Sequence, residues 1–162
     1  MQAIDILQDQ RILIVDDEPD ILETLQDLLP MCRTTTAESY QEARDLLAAQ
    51  PFDIAILDIM GVSGFDLLEI SARQGIVTIM LTAYALTPDN VEKSYRKGAA
   101  YYLPKEEMVN IVSFLAEIMT AKAKGQDTWG NWYSRLSSFA ERTFGPDFKK
   151  SDKEFWDKLT FH

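Results

Sequence analysis

The sequence predicts an α/β protein, a doubly wound five-stranded parallel sheet with helices on both faces, followed by a two-helix extension. Three observations carry this. Short apolar runs recur along the first 120 residues, and each gives way to apolar residues at helical spacing. The runs lack polar alternation, as in strands buried on both faces. Near residue 120 the alternation stops, and a segment of different charge begins that holds all three tryptophans.

The elements follow in order. Ile12 to Val15 is a short buried strand closed by Asp16. Pro19 sits in the first turn of a helix with Ile21, Leu22, Leu25, Leu28 and Leu29 at helical spacing, stopped by Pro30. A weak strand over 31–36 precedes a helix from Ser39 with Tyr40, Ala43, Leu46 and Leu47 on one face. After Pro51 comes the apolar run Ile54 to Leu57, ending on Asp58. Phe65, Leu67, Leu68 and Ile70 read as a third helix, and 76–81 ("IVTIML") as a fourth strand. Thr87 is placed as the N-cap of a helix with Pro88 at its first position, and Gly98 ends it. A short strand, "AAYYL", leads to a longer helix from Glu106 with Met108, Ile111, Val112, Leu115, Ile118 and Met119 on one stripe.

This divides the chain into a domain over 1–120 and an extension over 121–162. The extension has a linker at about 121–127 and helices at about 128–144 and 151–160. Its first helix carries Trp129, Trp132, Tyr133, Leu136, Phe139, Ala140 and Phe144. "SDKE" reads as a capping box, Ser151 with Glu154, opening the second helix, which bears Phe155, Trp156 and Leu159. Such an appendage is expected to pack on its own domain or on a second copy of the chain, as a homodimer. The alternative is an exposed docking element.

Composition narrows the classes. The formal net charge of −10 argues against DNA binding, which relies on cations neutralising phosphates. The extension carries eight Lys/Arg against six Asp/Glu, and the first 120 residues carry eight against twenty. No apolar run approaches the length of a membrane span, and the start lacks a signal-peptide pattern. A single cysteine, Cys32, rules out an internal disulfide and points to the cytoplasm.

The chemistry lies at the strand ends. Asp16 and Asp17 end the first strand, Asp58 the third, Thr82 the fourth and Lys105 the fifth. In a parallel sheet these ends open onto one edge, where ligands of such sheets bind. Three converging carboxylates need a cation, and oxygen-only donors favour a hard divalent ion such as Mg²⁺. With one histidine and one cysteine, zinc does not fit. A hydroxyl, the small Ala83, a lysine and a divalent ion together suit a phosphoryl group, with a carboxylate as nucleophile.

With "LIVDDE", "AILD", "MLTA" and "YLPK" in that order, the chain resembles the response regulator receiver family of two-component signalling over roughly residues 10–120. The resemblance implies a flavodoxin-like fold and makes Asp58 the phospho-acceptor. It implies Mg²⁺ (or Mn²⁺) held by Asp17 directly, Asp16 largely through water, Asp58, and the backbone carbonyl of Met60. It also implies Thr82 as the switch hydroxyl, Tyr102 as the aromatic that follows it, and Lys105 as the phosphoryl partner. Met60 and Tyr84 would flank the site and screen water from it. A histidine kinase or phosphotransfer protein would be the donor, an unidentified protein the downstream target, and the domain no metabolic enzyme. The alternative is a pseudo-receiver, a constitutive interaction module, which would predict loss of Asp58, an acidic-pair member or Lys105. A phosphatase of the haloacid dehalogenase type would need a second acid where Met60 stands.

Two departures from the family pattern stand out. The loop after Asp58 is short, with Ser63-Gly64 in the place of the usual Asp-Gly. The proline that normally follows the lysine is replaced by Glu106, with Pro104 before the lysine instead, so the turn there is expected to differ.

Overall fold

A computed structural model describes residues 3–83, 87–145 and 147–160. Its sheet is parallel throughout, built from β1 (Arg11–Val15), β2 (Arg33–Ala37), β3 (Ile54–Asp58), β4 (Val77–Thr82) and β5 (Tyr101–Pro104). The strand order is β2-β1-β3-β4-β5, the doubly wound order that reverses direction next to β1. Five helices connect and follow the strands: α1 (Pro19–Leu28), α2 (Tyr40–Ala49), α3 (Gly64–Arg73), α4 (Pro88–Arg96) and α5 (Ile111–Ala123).

The central strands β3 and β4 are buried along their whole length, which explains their unbroken apolar sequences. β2, at the sheet edge, reads RTTTA and is half-exposed, so its sequence signal is weak. The helix starts follow local chemistry. Ser39 and Thr87 accept from the N–H groups of Glu42 and Asn90, and Pro19 and Pro88 occupy the first turns. Gly98 has φ +100°, the left-handed turn in which α4 ends.

The extension forms α6 (Trp132–Phe144) and α7 (Lys153–Thr160). Both start later than their sequence suggests. The Asp127 carboxylate caps the N–H of Trp129 at 2.9 Å in a turn that runs through Gly130, so the helix expected from 128 begins at Trp132. Before α7 a 3-10 turn covers Phe148–Asp152, and the N–H of Phe155 donates to Asp152 Oδ1 at 3.1 Å. Asp152 thus caps the first turn of α7, while the side chain of Ser151, and with it the expected Ser151–Glu154 box, lies outside the described residues. The helix expected from Glu106 is likewise 3-10 over Lys105–Asn110 before α5 begins, and α5 runs to Ala123, shortening the linker. A 3-10 turn at Ala3–Leu7 is too short to show periodicity, and it buries Leu7 completely.

The extension packs on its own sheet. The indole N–H of Trp129 donates to the Ala99 carbonyl at 2.8 Å, and that of Trp132 to the Tyr102 carbonyl at 2.7 Å. Tyr95 of α4 meets Trp129 and Phe155 edge to face, each at 5.4 Å between ring centroids. Arg135 pairs with Glu117 of α5 and lies over the Phe114 ring at 3.7 Å. Covered in this way, the edge strand β5 is buried at every position, and the tryptophans join one continuous core with the sheet. Among the described residues no helix is long and apolar enough to cross a membrane.

Candidate functional site

Strand register assembles the site. Val15 pairs with Leu57, so the next residues, Asp16 and Asp58, emerge side by side. Asp58 pairs with Leu81 and Thr82 with Pro104, which brings Thr82 and Lys105 to the same edge. A cavity of about 220 Å³ there is lined by Asp17, Glu18, Asp58, Met60, Gly61, Thr82, Ala83 and Lys105. The strand-end residues picked from sequence therefore converge. Asp16, Asp58 and Thr82 are buried, and Met60 stands at the rim with 59% of its surface exposed.

Lys105 ties the carboxylates together. Its ammonium lies 2.8 Å from Asp16 Oδ2, and 3.4 Å from both Asp58 Oδ1 and Glu18 Oε1. Asp16 is further held by the Glu18 N–H, which donates to its Oδ1 at 2.9 Å. Burial raises the Asp16 carboxyl above its usual range despite the Lys105 contact. Burial, then the charge of Asp16, pushes Asp58 up to about 7, against the pull of Lys105. Burial works against the Lys105 charge, but Asp16, Asp58 and Glu18 outweigh it and hold the ammonium above its usual range.

Three carboxylates thus face one ammonium, and Asp58 resists ionisation first through its burial and then through the charge of Asp16. Ligand oxygens of Asp16, Asp17 and Glu18 lie within 4.8 Å of one another, a spacing that suits one ion. The donor set is oxygen alone, so these residues fit a hard divalent cation such as Mg²⁺. Glu18 is the member that sequence reasoning missed. It follows the acidic pair directly, but reads as the residue leading into α1, where its backbone does serve as the N-cap position.

The shortened loop after Asp58 works through glycine. Ser63 takes a left-handed conformation at φ +54°, and Gly64 then opens α3 against the strand it has just left. A Cβ on Gly64 would lie 2.1 Å from the Asp58 carbonyl oxygen, so no other residue fits there. Gly61, at φ +83°, passes so close to Asp17 that a Cβ would meet its Oδ2 at 2.4 Å. At the other departure, Lys105 opens a 3-10 turn, and the described residues contain no cis peptide.

Tyr102 is fully buried on β5, and burial holds its phenol well above the usual range, against a small opposing pull from the Thr87 backbone. Tyr84 lies outside the described residues.

Residues 12–115 match the family model described as the response regulator receiver domain. Over 102 residues the chain is 38% identical to the response regulator protein PilR of Pseudomonas aeruginosa, a match covering 59% of this chain and 23% of that protein. Over 125 residues it is 36% identical to the two-component response regulator ARR10 of Arabidopsis thaliana, covering 68% of this chain and 22% of that one. The chain thus spans less than a quarter of the length of either relative. Among solved structures it is similar to a CheY-like receiver domain protein from Methanospirillum hungatei, with TM-score 0.65 and 28% identity over 73% of this chain and 99% of that one. A receiver domain protein from Clostridium thermocellum gives TM-score 0.61 at 27% identity, over 71% and 97% respectively.

Proposed function

Because the chain belongs to the response regulator receiver domain family, we propose that it accepts a phosphoryl group on Asp58 and switches conformation in response. The observation that carries this reading is the register that sets Asp58 beside Asp16, with Thr82 and Lys105 at the same edge. The donor would be a histidine kinase or phosphotransfer protein, or a small phosphodonor such as acetyl phosphate. The protein would act in the cytoplasm, promoting its own phosphorylation and dephosphorylation rather than turning over a metabolite.

In this reading an Asp58 carboxylate oxygen attacks phosphorus, and the donor's bond to phosphorus breaks with its electron pair leaving on the donor. Lys105 neutralises a phosphoryl oxygen, a role its ammonium can take up because it already stands 3.4 Å from Asp58. Thr82 closes its hydroxyl on the phosphoryl group from the end of β4. The buried ring of Tyr102 on β5 then follows that closure. Asp17 directly, Asp16 largely through water, Asp58 and the Met60 carbonyl, with Glu18 beside them, would hold Mg²⁺ (or Mn²⁺), which would supply charge neutralisation and favour the ionised form of Asp58.

Incubation with acetyl phosphate, followed by intact-mass measurement, tests the proposal. The expected result is a gain of one phosphoryl group in Mg²⁺, little in EDTA, and at least a tenfold slower gain for Asp17→Asn, about 1.4 kcal/mol or more of lost stabilisation. A wild-type protein that gains nothing in Mg²⁺ would favour a constitutive interaction module instead.

A further inference from the structure

Helix α6 runs along the covered edge of the sheet toward the phosphoryl site. Trp132 at its start donates to the Tyr102 carbonyl. About two helical turns later, Phe139 reaches the end of the same strand. There it lines a cavity of about 130 Å³ with Thr82, Ala83, Pro104, Lys105 and Glu106. Thr82, Ala83 and Lys105 also line the larger cavity that holds Asp58. The two cavities adjoin across the residues that would grip the phosphoryl group, and the extension contributes to the wall of one of them. Phe139 is half-buried, and the Arg142 guanidinium lies 5.8 Å from its ring centroid.

We propose that the extension completes the phosphoryl site in cis: the Phe139 ring walls the Thr82–Lys105 side of the pocket and restricts water from phosphorylated Asp58. Helix α6 thereby lengthens the life of the phosphorylated form. This rests on Asp58 being the phospho-acceptor. In hydrolysis a water oxygen forms a bond to phosphorus and the bond from phosphorus to the Asp58 oxygen breaks. The electron pair returns to the Asp58 carboxylate, and the water proton leaves with inorganic phosphate or to solvent. A phenyl ring offers that water no strong hydrogen bond and fills the volume it would cross. Phe139 acts by position, without bonding to the reacting atoms.

The test uses the full chain, loaded with acetyl phosphate in Mg²⁺ and moved to donor-free buffer, with decay of the phosphorylated species followed by intact mass. Phe139→Ala should decay about 3–10 times faster than wild type, with Phe139→Leu in between. Phe144→Ala should decay at the wild-type rate, because the Phe144 ring packs on Phe148 and Trp156 within the extension. Equal decay of loaded Phe139→Ala and wild type would overturn the inference and leave the acceptor assignment standing. Equal acceleration by Phe144→Ala would also overturn it, since general loosening of the extension would then be the cause. A wild type that never loads would remove both.

Discussion

Asp58→Asn should abolish phosphorylation and, in the absence of divalent ions, make the protein more stable by about 2–4 kcal/mol above pH 7. The first follows because an amide cannot replace the carboxylate nucleophile, and the second follows from the electrostatics of the site. Burial and the neighbouring Asp16 push the Asp58 carboxyl from 3.8 to about 7, so ionising it costs the folded state. For an acid whose folded pKa is raised, the native state holds the proton more tightly than the unfolded chain does. Its contribution to stability is therefore full below about pH 4 and is lost as pH rises through about 7. Asparagine is nearly isosteric and never ionises, so the variant escapes that loss, while Lys105 keeps Asp16 at 2.8 Å. Urea denaturation in EDTA at pH 5 and pH 8 measures this. The gap between variant and wild type should widen with pH, and Mg²⁺ should narrow it by stabilising wild type more. A gap that stays flat from pH 5 to 8 would mean that Asp58 is already ionised without a cation.

Trp132→Ala should lower stability by about 3–5 kcal/mol, the range for removing a large buried aromatic. Trp132 is 2% exposed, and its indole N–H holds the Tyr102 carbonyl at 2.7 Å. Its ring lies between those of Trp129 and Trp156, at centroid distances of 6.0 and 6.1 Å. Truncation opens a cavity in the shared core and takes the indole donor from a buried carbonyl. Trp132→Phe, which keeps most of the packing but not the donor, should cost only about 1–2 kcal/mol. Urea titration followed by far-UV circular dichroism separates the two. A loss below about 1 kcal/mol for Trp132→Ala would show that the extension does not fold as one unit with the sheet.

The site was legible because parallel topology does the assembling. Once four apolar runs are read as parallel strands, their terminal residues must share an edge, and Asp16, Asp58, Thr82 and Lys105 follow without knowledge of any contact. Glu18 escaped because one residue served two readings, a helix-leading position and a member of the acidic group. The extension was legible as amphipathic and aromatic, but periodicity names a buried face without naming what buries it. Nothing in Phe139 or Trp132 alone points to Lys105 or Tyr102, since those meetings depend on where α6 lies across β5. Helix starts slipped where a nearby side chain offered a competing cap, as Asp127 does for Trp129 and Asp152 for Phe155.

Phosphoryl transfer, the switch and the protection by α6 all require Asp58 as the acceptor, and trapping the acyl phosphate tests that most directly. Borohydride reduces an aspartyl phosphate to homoserine, which peptide mapping locates by residue. After treatment with acetyl phosphate and Mg²⁺, homoserine is expected at position 58 alone, and at no position in Asp58→Asn. Homoserine at Asp16, Asp17 or another carboxylate, or an equal yield from Asp58→Asn, would contradict it.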